Sequence, residues 1–211
     1  MAEAQEDDDI FVYMGGDQEV PDDVRRARIH KSVKSIPRYA FYKRRNLTSV
    51  EFHDEIEIIE EEAFKDCNSL RGSIKLLGVK IVKRSAFHDC RAITDVEFGD
   101  VLEAVKALVF FGCSSLRSIT MSSVRTIGFQ AFACCYELSD VVCGKRLQLI
   151  EASTFRTCLT LKRIVLPLKD YIIDGSFFGV FQDCPQLARV DLVGDSVTLL
   201  SLCIWRAGEM K

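Results

Sequence analysis

Long apolar runs are missing from this sequence: no stretch approaches the about 18 residues a membrane-spanning helix requires. A strong net charge is missing as well. The 28 Lys and Arg against 31 Asp and Glu leave −3, so bulk charge does not point to nucleic acid. The first nine residues, MAEAQEDDD, have neither the basic start and apolar stretch of a secretory signal nor the Arg-rich, acid-poor character of a transit peptide. The expectation from these absences is a cytoplasmic or nuclear chain. Catalytic signatures are absent too: there is no G-x-S-x-G, no phosphate-cradling Gly loop and no H-E-x-x-H. An enzyme is therefore not expected, and neither is a cofactor. Nine cysteines leave at least one unpaired in any intramolecular scheme, which suits a reducing compartment. What is plentiful is apolar residue content, 48% beside 28% charged over 211 residues. That is a globular balance, enough for one domain or one stack of repeats.

Self-comparison resolves that choice. Phenylalanines at 41, 64, 87, 110, 132, 155 and 181 are spaced by 23, 23, 23, 22, 23 and 26 residues. Three residues after each stand Arg44, Cys67, Cys90, Cys113, Cys135, Cys158 and Cys184, and six after stand Leu47, Leu70, Ile93, Leu116, Leu138, Leu161 and Leu187. Next come Val50, Ile74, Val96, Ile119, Val141, Ile164 and Val190, with one residue, Gly72, added in the second unit. Five before the first six Phe residues lie Ile36, Ile59, Val82, Val105, Ile127 and Ile150. The unit I-x-x-x-A-F-x-x-C-x-x-L-x-x-V-x-F repeats seven times.

A unit this short cannot bury its own apolar side, but stacked neighbours share one core. The alternation in L-x-x-V-x-F predicts one short strand per unit, pairing in parallel with the next unit. The A-F-x-x-C run is expected to turn the chain on the opposite wall as a short helical or 3₁₀ turn.

The pattern resembles the BspA-like leucine-rich repeats, whose hallmark is the A-F-x-x-C-x-x-L run in a unit of about 23 residues. The resemblance implies a leucine-rich-repeat solenoid (α/β, β-rich), right-handed, with a parallel sheet on the concave face. It also implies protein binding without a common catalytic site. Three departures stand out: Arg44 in the Cys column, Val109, Thr154 and Val180 in place of Ala, and three extra residues around Phe177 and Phe178. The first suits an end rung; the last suggests a bulge. The organisation read from the sequence is an acidic tail over 1–23, with a capping strand at 10–14. A half-rung plus seven repeats follow over 24–192, and a C-terminal cap over 193–211. Leu199 to Trp205 is expected to form a capping helix.

The column cysteines are expected to be buried small apolar side chains, because a linear file of thiols does not converge as zinc requires. His30 and His53 occupy equivalent positions on adjacent rungs, and both read as solvated rim residues. Residues 24–45 hold nine Lys or Arg and no acid, whereas 1–23 hold nine acids and 51–66 hold eight. Compensation between neighbouring rungs is the expected use of this block. Nucleic-acid binding through it is disfavoured, since only Tyr39 and Tyr42 interleave. The outward positions of the sheet are charged at first (Arg28, Glu51, Lys75, Glu97) and then become Thr120, Val142 and Val165, flanked by Asp140 and Arg163. An apolar strip rimmed by charge is how a partner site looks. The expected function is a non-enzymatic scaffold binding a protein partner through Thr120, Asp140, Val142, Arg163 and Val165. A cell-surface adhesin is the alternative.

Overall fold

The computed structural model describes residues 10–194 and 199–203. The chain winds as a solenoid whose strands pair in parallel, except for the last. In order they are β1 (Ile10–Tyr13), β2 (Arg26–Ile29), β3 (Ser35–Ile36), β4 (Ser49–Glu51), β5 (Ile58–Ile59), β6 (Gly72–Leu76), β7 (Ile81–Val82) and β8 (Ile93–Phe98). They continue as β9 (Ala104–Val105), β10 (Ser118–Met121), β11 (Thr126–Ile127), β12 (Asp140–Cys143), β13 (Leu149–Ile150), β14 (Arg163–Pro167), β15 (Arg189–Val193) and β16 (Leu199–Cys203). One helical turn, α1 (Phe177–Val180), lies among the described residues.

The V-x-F segments form a broad sheet, as the alternation predicts, but in two pieces. One has the order β1-β2-β4, the other β16-β15-β14-β12-β10-β8-β6. The break falls where Gly72 is inserted. Its φ of 79° is open to glycine without a Cβ clash, and the register between β6 and β8 slips at Gly72/Ser73. A second, narrower sheet runs β13-β11-β9-β7-β5-β3. It is built on the Ile/Val column from Ile36 to Ile150, every member of which is fully buried.

The A-F-x-x-C wall is neither helical nor 3₁₀. Residues two before and two after each of the first six column Phe residues have positive φ, among them Tyr39 and Lys43, Glu62 and Asp66, Ser85 and Asp89, and Gln130 and Cys134. The left-handed residues alternate with others, so successive N–H groups point along the stack instead of back into the chain. Phe41 N–H donates to Ala63 O at 2.7 Å and Lys43 N–H to Lys65 O at 2.8 Å. A helix would have satisfied these donors locally and left the rungs unconnected. Only the seventh rung, with its three extra residues, forms a helical turn, capped by Ser176 Oγ accepting from Gly179 N–H at 2.9 Å.

The core is a file of rings. Phe41, Phe64, Phe87, Phe110, Phe132, Phe155 and Phe181 stack face to face, with centroids 4.8 to 5.5 Å apart. Tyr13 of β1 closes the first end, edge-on to Phe41 at 5.2 Å. The first rung is therefore as enclosed as the middle ones, Phe41 being 0% exposed. The end rung that Arg44 in the Cys column suggests is therefore not an exposed one, because β1 adds a rung with its own aromatic.

Beside the rings, each column thiol donates to the carbonyl of the preceding rung's Phe: Cys67 to Phe41 O at 3.0 Å, Cys113 to Phe87 O at 3.2 Å and Cys158 to Phe132 O at 3.2 Å. A small, weakly donating side chain fits a niche that is apolar except for one acceptor. In the first rung Arg44 reaches the cap instead, its Nε donating to Val20 O at 2.8 Å and Nη1 pairing with Asp22 at 2.8 Å. Thr154, in the Ala column, is buried with its hydroxyl donating to Gly128 O or Glu151 O.

At the far end a strand replaces the expected helix. β16 runs antiparallel to β15 with Asp191 opposite Ser201, and so covers the backbone edge that β15 would otherwise expose. Residues 1–9 of the acidic tail and 204–211, including Trp205, lie outside the described residues.

Candidate functional site

The broad sheet places the five expected residues side by side. Thr120, Val142, Val165 and Asp191 lie in one outward column on β10, β12, β14 and β15, and Ser118, Asp140, Arg163 and Arg189 lie in the adjacent one. The first rungs of this face are ion-paired, Arg28 with Glu51 and Lys75 with Glu97 at 3.6 Å. From β10 onward the charge ladder stops. Thr120 is exposed, and Val142 and Asp140 are half-buried. The Asp140 carboxylate accepts from its neighbour Ser139 Oγ at 2.8 Å.

Two of the five sit differently from the sequence expectation. Val165 is only 7% exposed, so it offers a partner almost no surface. Arg163 is tied down: its Nε donates to Asp191 Oδ2 at 2.6 Å, while Arg189 Nε donates to Oδ1 at 2.7 Å. Asp191 is 0% exposed. A buried carboxylate is held in place by guanidinium groups on both oxygens. Position in the column cannot reveal this, because it does not say which neighbouring side chains close over an outward residue, as Arg163 and Arg189 do over Asp191. The accessible part of the strip is Thr120 and Val142, with Asp140 on one flank and the Arg163–Asp191–Arg189 cluster on the other.

Another exposed apolar line escaped the sequence reading. Three residues before the column Phe, the first three rungs carry Arg38, Glu61 and Arg84, and the next four carry Ala107, Phe129, Ala152 and Phe178. Phe129 is 43% and Phe178 73% exposed. The same column comparison that isolates Thr120 and Val142 would have found it.

Among the described residues the column thiols donate to carbonyls of the preceding rung, and only Cys158 and Cys184 also meet each other. Burial pushes the Cys67 and Cys143 thiols up to about 12, and raises Cys90, Cys113, Cys135 and Cys158 likewise. Cys184 moves the other way, lowered by the hydrogen bond it receives from Cys158. His30 and His53 do not form a paired site: His53 Nε2 lies 3.0 Å from the His30 carbonyl, while His30 Nδ1 contacts Ser32 Oγ.

The basic block is compensated rung by rung. Lys34 pairs with Glu55 at 2.8 Å, Arg38 with Glu61 at 3.4 Å, and Arg44 with Asp22. Its partners are those acidic segments on either side in sequence. No helix among the described residues is long and apolar enough to cross a membrane.

With seven stacked rungs and their A-F-x-x-C wall in view, the family is decided by one comparison. The sequence matches the BspA type leucine rich repeat region, in six copies, over residues 23–77 and 72–188. The chain belongs to the BspA type leucine rich repeat family. Among solved structures it is similar to the pneumococcal vaccine antigen PcpA, with TM-score 0.59 and 15% identity, over 78% of this chain and 40% of that one. A leucine rich repeat protein of T. pallidum aligns with TM-score 0.55 and 20% identity, over 88% of this chain and 76% of that one. A leucine rich cell surface protein of Faecalibacterium prausnitzii aligns with TM-score 0.50 and 18% identity, over 86% and 69%. At these identities the likeness establishes the fold. No curated protein sequence matches this one.

Proposed function

We propose that this BspA type repeat protein is a non-enzymatic scaffold that binds a protein partner on the β10–β12–β14 region of its broad sheet. The observation carrying this reading is the change along one face from ion-paired rungs (Arg28–Glu51, Lys75–Glu97) to the uncharged pair Thr120 and Val142. A surface built on paired strands is preformed, so binding there costs little ordering. The Arg163–Asp191–Arg189 cluster supplies a rigid polar flank for orienting the partner. The reading places the protein in the reducing cytoplasm or nucleus, with which the eight free thiols of described side chain are compatible.

The test follows from the accessible residues. Val165→Asp would disturb buried packing, so the informative variant is Thr120→Arg with Val142→Arg. The proteins captured by tagged wild type and by this variant are compared after both show the same thermal melt. A partner lost only from the variant is the expected result. An identical set on a folded variant refutes the site.

A second reading, a surface protein with adhesin-like contacts, is favoured by two of the structural neighbours, named as a vaccine antigen and a cell surface protein. Recovery of the native chain from the external face of intact cells, by protease shaving, would favour it over the intracellular scaffold.

A further inference from the structure

The wall opposite the broad sheet carries a second constellation that the scaffold does not use. Asp66 and Asp89 hold the same column position, two after Phe64 and Phe87 on consecutive rungs, and His88 precedes Asp89. One ligand atom from each of Asp66, His88 and Asp89 can be chosen so that all lie within 4.8 Å of one another. Elsewhere the column holds Lys43, Gly112, Cys134, Thr157 and Asp183, so this is its one pair of stacked carboxylates. Two carboxylates on neighbouring rungs repel unless a cation lies between them. Lys65 Nζ is paired with Glu62 at 3.1 Å and acts on Asp66 only through space. The Asp66 carboxylate has no ion pair or hydrogen bond among the described residues.

The imidazole supplies an independent observation. His88 Nδ1 is shut off from solvent and makes no hydrogen bond. It lies 3.2 Å from Asp89 Oδ2, within ion-pair distance but outside hydrogen-bond alignment. A buried polar atom left in this way is costly, and a bound cation would satisfy it. The ring is held in orientation by stacking on Phe111, centroids 4.8 Å apart and 21° from parallel.

We propose that Asp66, His88 and Asp89 bind one divalent transition-metal ion of the zinc class, through one imidazole nitrogen and two carboxylate oxygens. Such a mixed set suits a borderline ion better than the all-oxygen shell that calcium or magnesium takes. Three protein ligands leave a fourth, solvent-facing position for water. Tetrahedral zinc at ~2.0–2.1 Å places its ligand atoms about 3.3 Å apart, so closure needs only side-chain rotation toward the ion.

The surroundings fit that use. Arg91 Nε donates to Asp89 Oδ1 at 3.2 Å and leaves Oδ2 on the His88 side, as a partner beyond the ligands should. Asn68 donates its amide to the Asp89 carbonyl at 2.9 Å. On the next rung stands Gly112, where a Cβ would come within 2.6 Å of Asp89 Oδ1. Glycine there leaves the carboxylate its position. Because Asp66 belongs to one rung and His88 and Asp89 to the next, the ion would tie two turns of the solenoid together.

The experiment uses the full chain, stripped of metal and kept reduced without chelators. Zinc chloride is titrated calorimetrically, with magnesium and calcium chloride as controls, and cobalt(II) is followed by absorption. The expected result is one zinc per chain and a melting temperature raised by about 5–10 °C at a hundredfold excess over Kd. Affinity should fall at least about tenfold in both Asp66→Asn and His88→Gln, with the metal-free melt unchanged. The cobalt spectrum of wild type, which needs no variant, should be tetrahedral without thiolate charge-transfer absorption. Absence of zinc binding, wild-type zinc affinity in either variant, equal binding of calcium, or a thiolate band would each overturn the proposal.

Discussion

Replacing Phe110 by alanine probes how the solenoid is held together. The ring is 0% exposed, lies between Phe87 and Phe132 at 5.4 Å each, and meets the edge of Phe98 at 6.3 Å. A Phe side chain buries roughly 150–250 Å², which at about 25 cal/mol per Å² is worth ~4–6 kcal/mol as an upper bound. Measured deletions of buried Phe cluster at about 3–5 kcal/mol. Both routes give about 4 kcal/mol, or a melting temperature lower by about 8–16 °C for a chain of this size. Because Tyr13 caps the file, Phe41→Ala should cost the same within about 1 kcal/mol. Phe181 is 7% exposed and has the α1 ring of Phe177 on one flank in place of another full rung, so Phe181→Ala should cost about 2–3 kcal/mol. Urea unfolding followed by circular dichroism measures all three. A Phe110→Ala loss under about 1.5 kcal/mol, or a Phe41→Ala loss under half of it, would refute a continuous stack closed by β1.

The buried thiols of Cys67, Cys90, Cys113, Cys135, Cys143 and Cys158 predict an alkaline limit to stability. Their folded pKa values are raised above the ordinary 9.0. Below pH 9 both states are protonated and nothing is lost. Above it the unfolded chain releases protons that the folded chain keeps, so stability falls as pH climbs toward the folded values, by up to about 1.4 kcal/mol per unit for each thiol. A urea midpoint unchanged up to about pH 10.5 would contradict this. In native protein at mildly alkaline pH, Cys184 should react with a thiol reagent before any of these six, and mass mapping that finds Cys113 labelled first would count against the thiol column. Gly144→Ala should destabilise by about 2–3 kcal/mol or more, since its Cβ would lie 1.8 Å from the Ser122 carbonyl oxygen; an unchanged melt would show that the strand end can shift. Thr154→Val should cost about 1–2 kcal/mol through the unsatisfied carbonyl left behind, read from the same urea curves.

The repeat, its period, the inward columns and the parallel pairing of one rung on the next are all legible in the residue order. Those follow from side-chain type at fixed spacing, because a 23-residue turn has one way to bury Phe, Cys, Leu, Val and Ile together. The backbone of the A-F-x-x-C wall, by contrast, is set by the stacking of the rungs. There Glu62, Asp66, Gln130 and Cys134 take left-handed conformations that their identities do not demand, because the alternation sends their N–H groups to the next rung. Tertiary context also decided which outward residues are accessible. Val142 and Val165 occupy the same column and look alike in sequence, yet Val165 is buried, while Asp191 beyond it is enclosed between two arginines. The meeting of Asp66 with His88 and Asp89 belongs to the same class, since residues 22 and 23 apart in sequence become neighbours only when one rung stacks on the next. Periodicity specifies which face a residue joins; packing at the ends of the stack specifies whether that face meets solvent, a covering strand or another side chain.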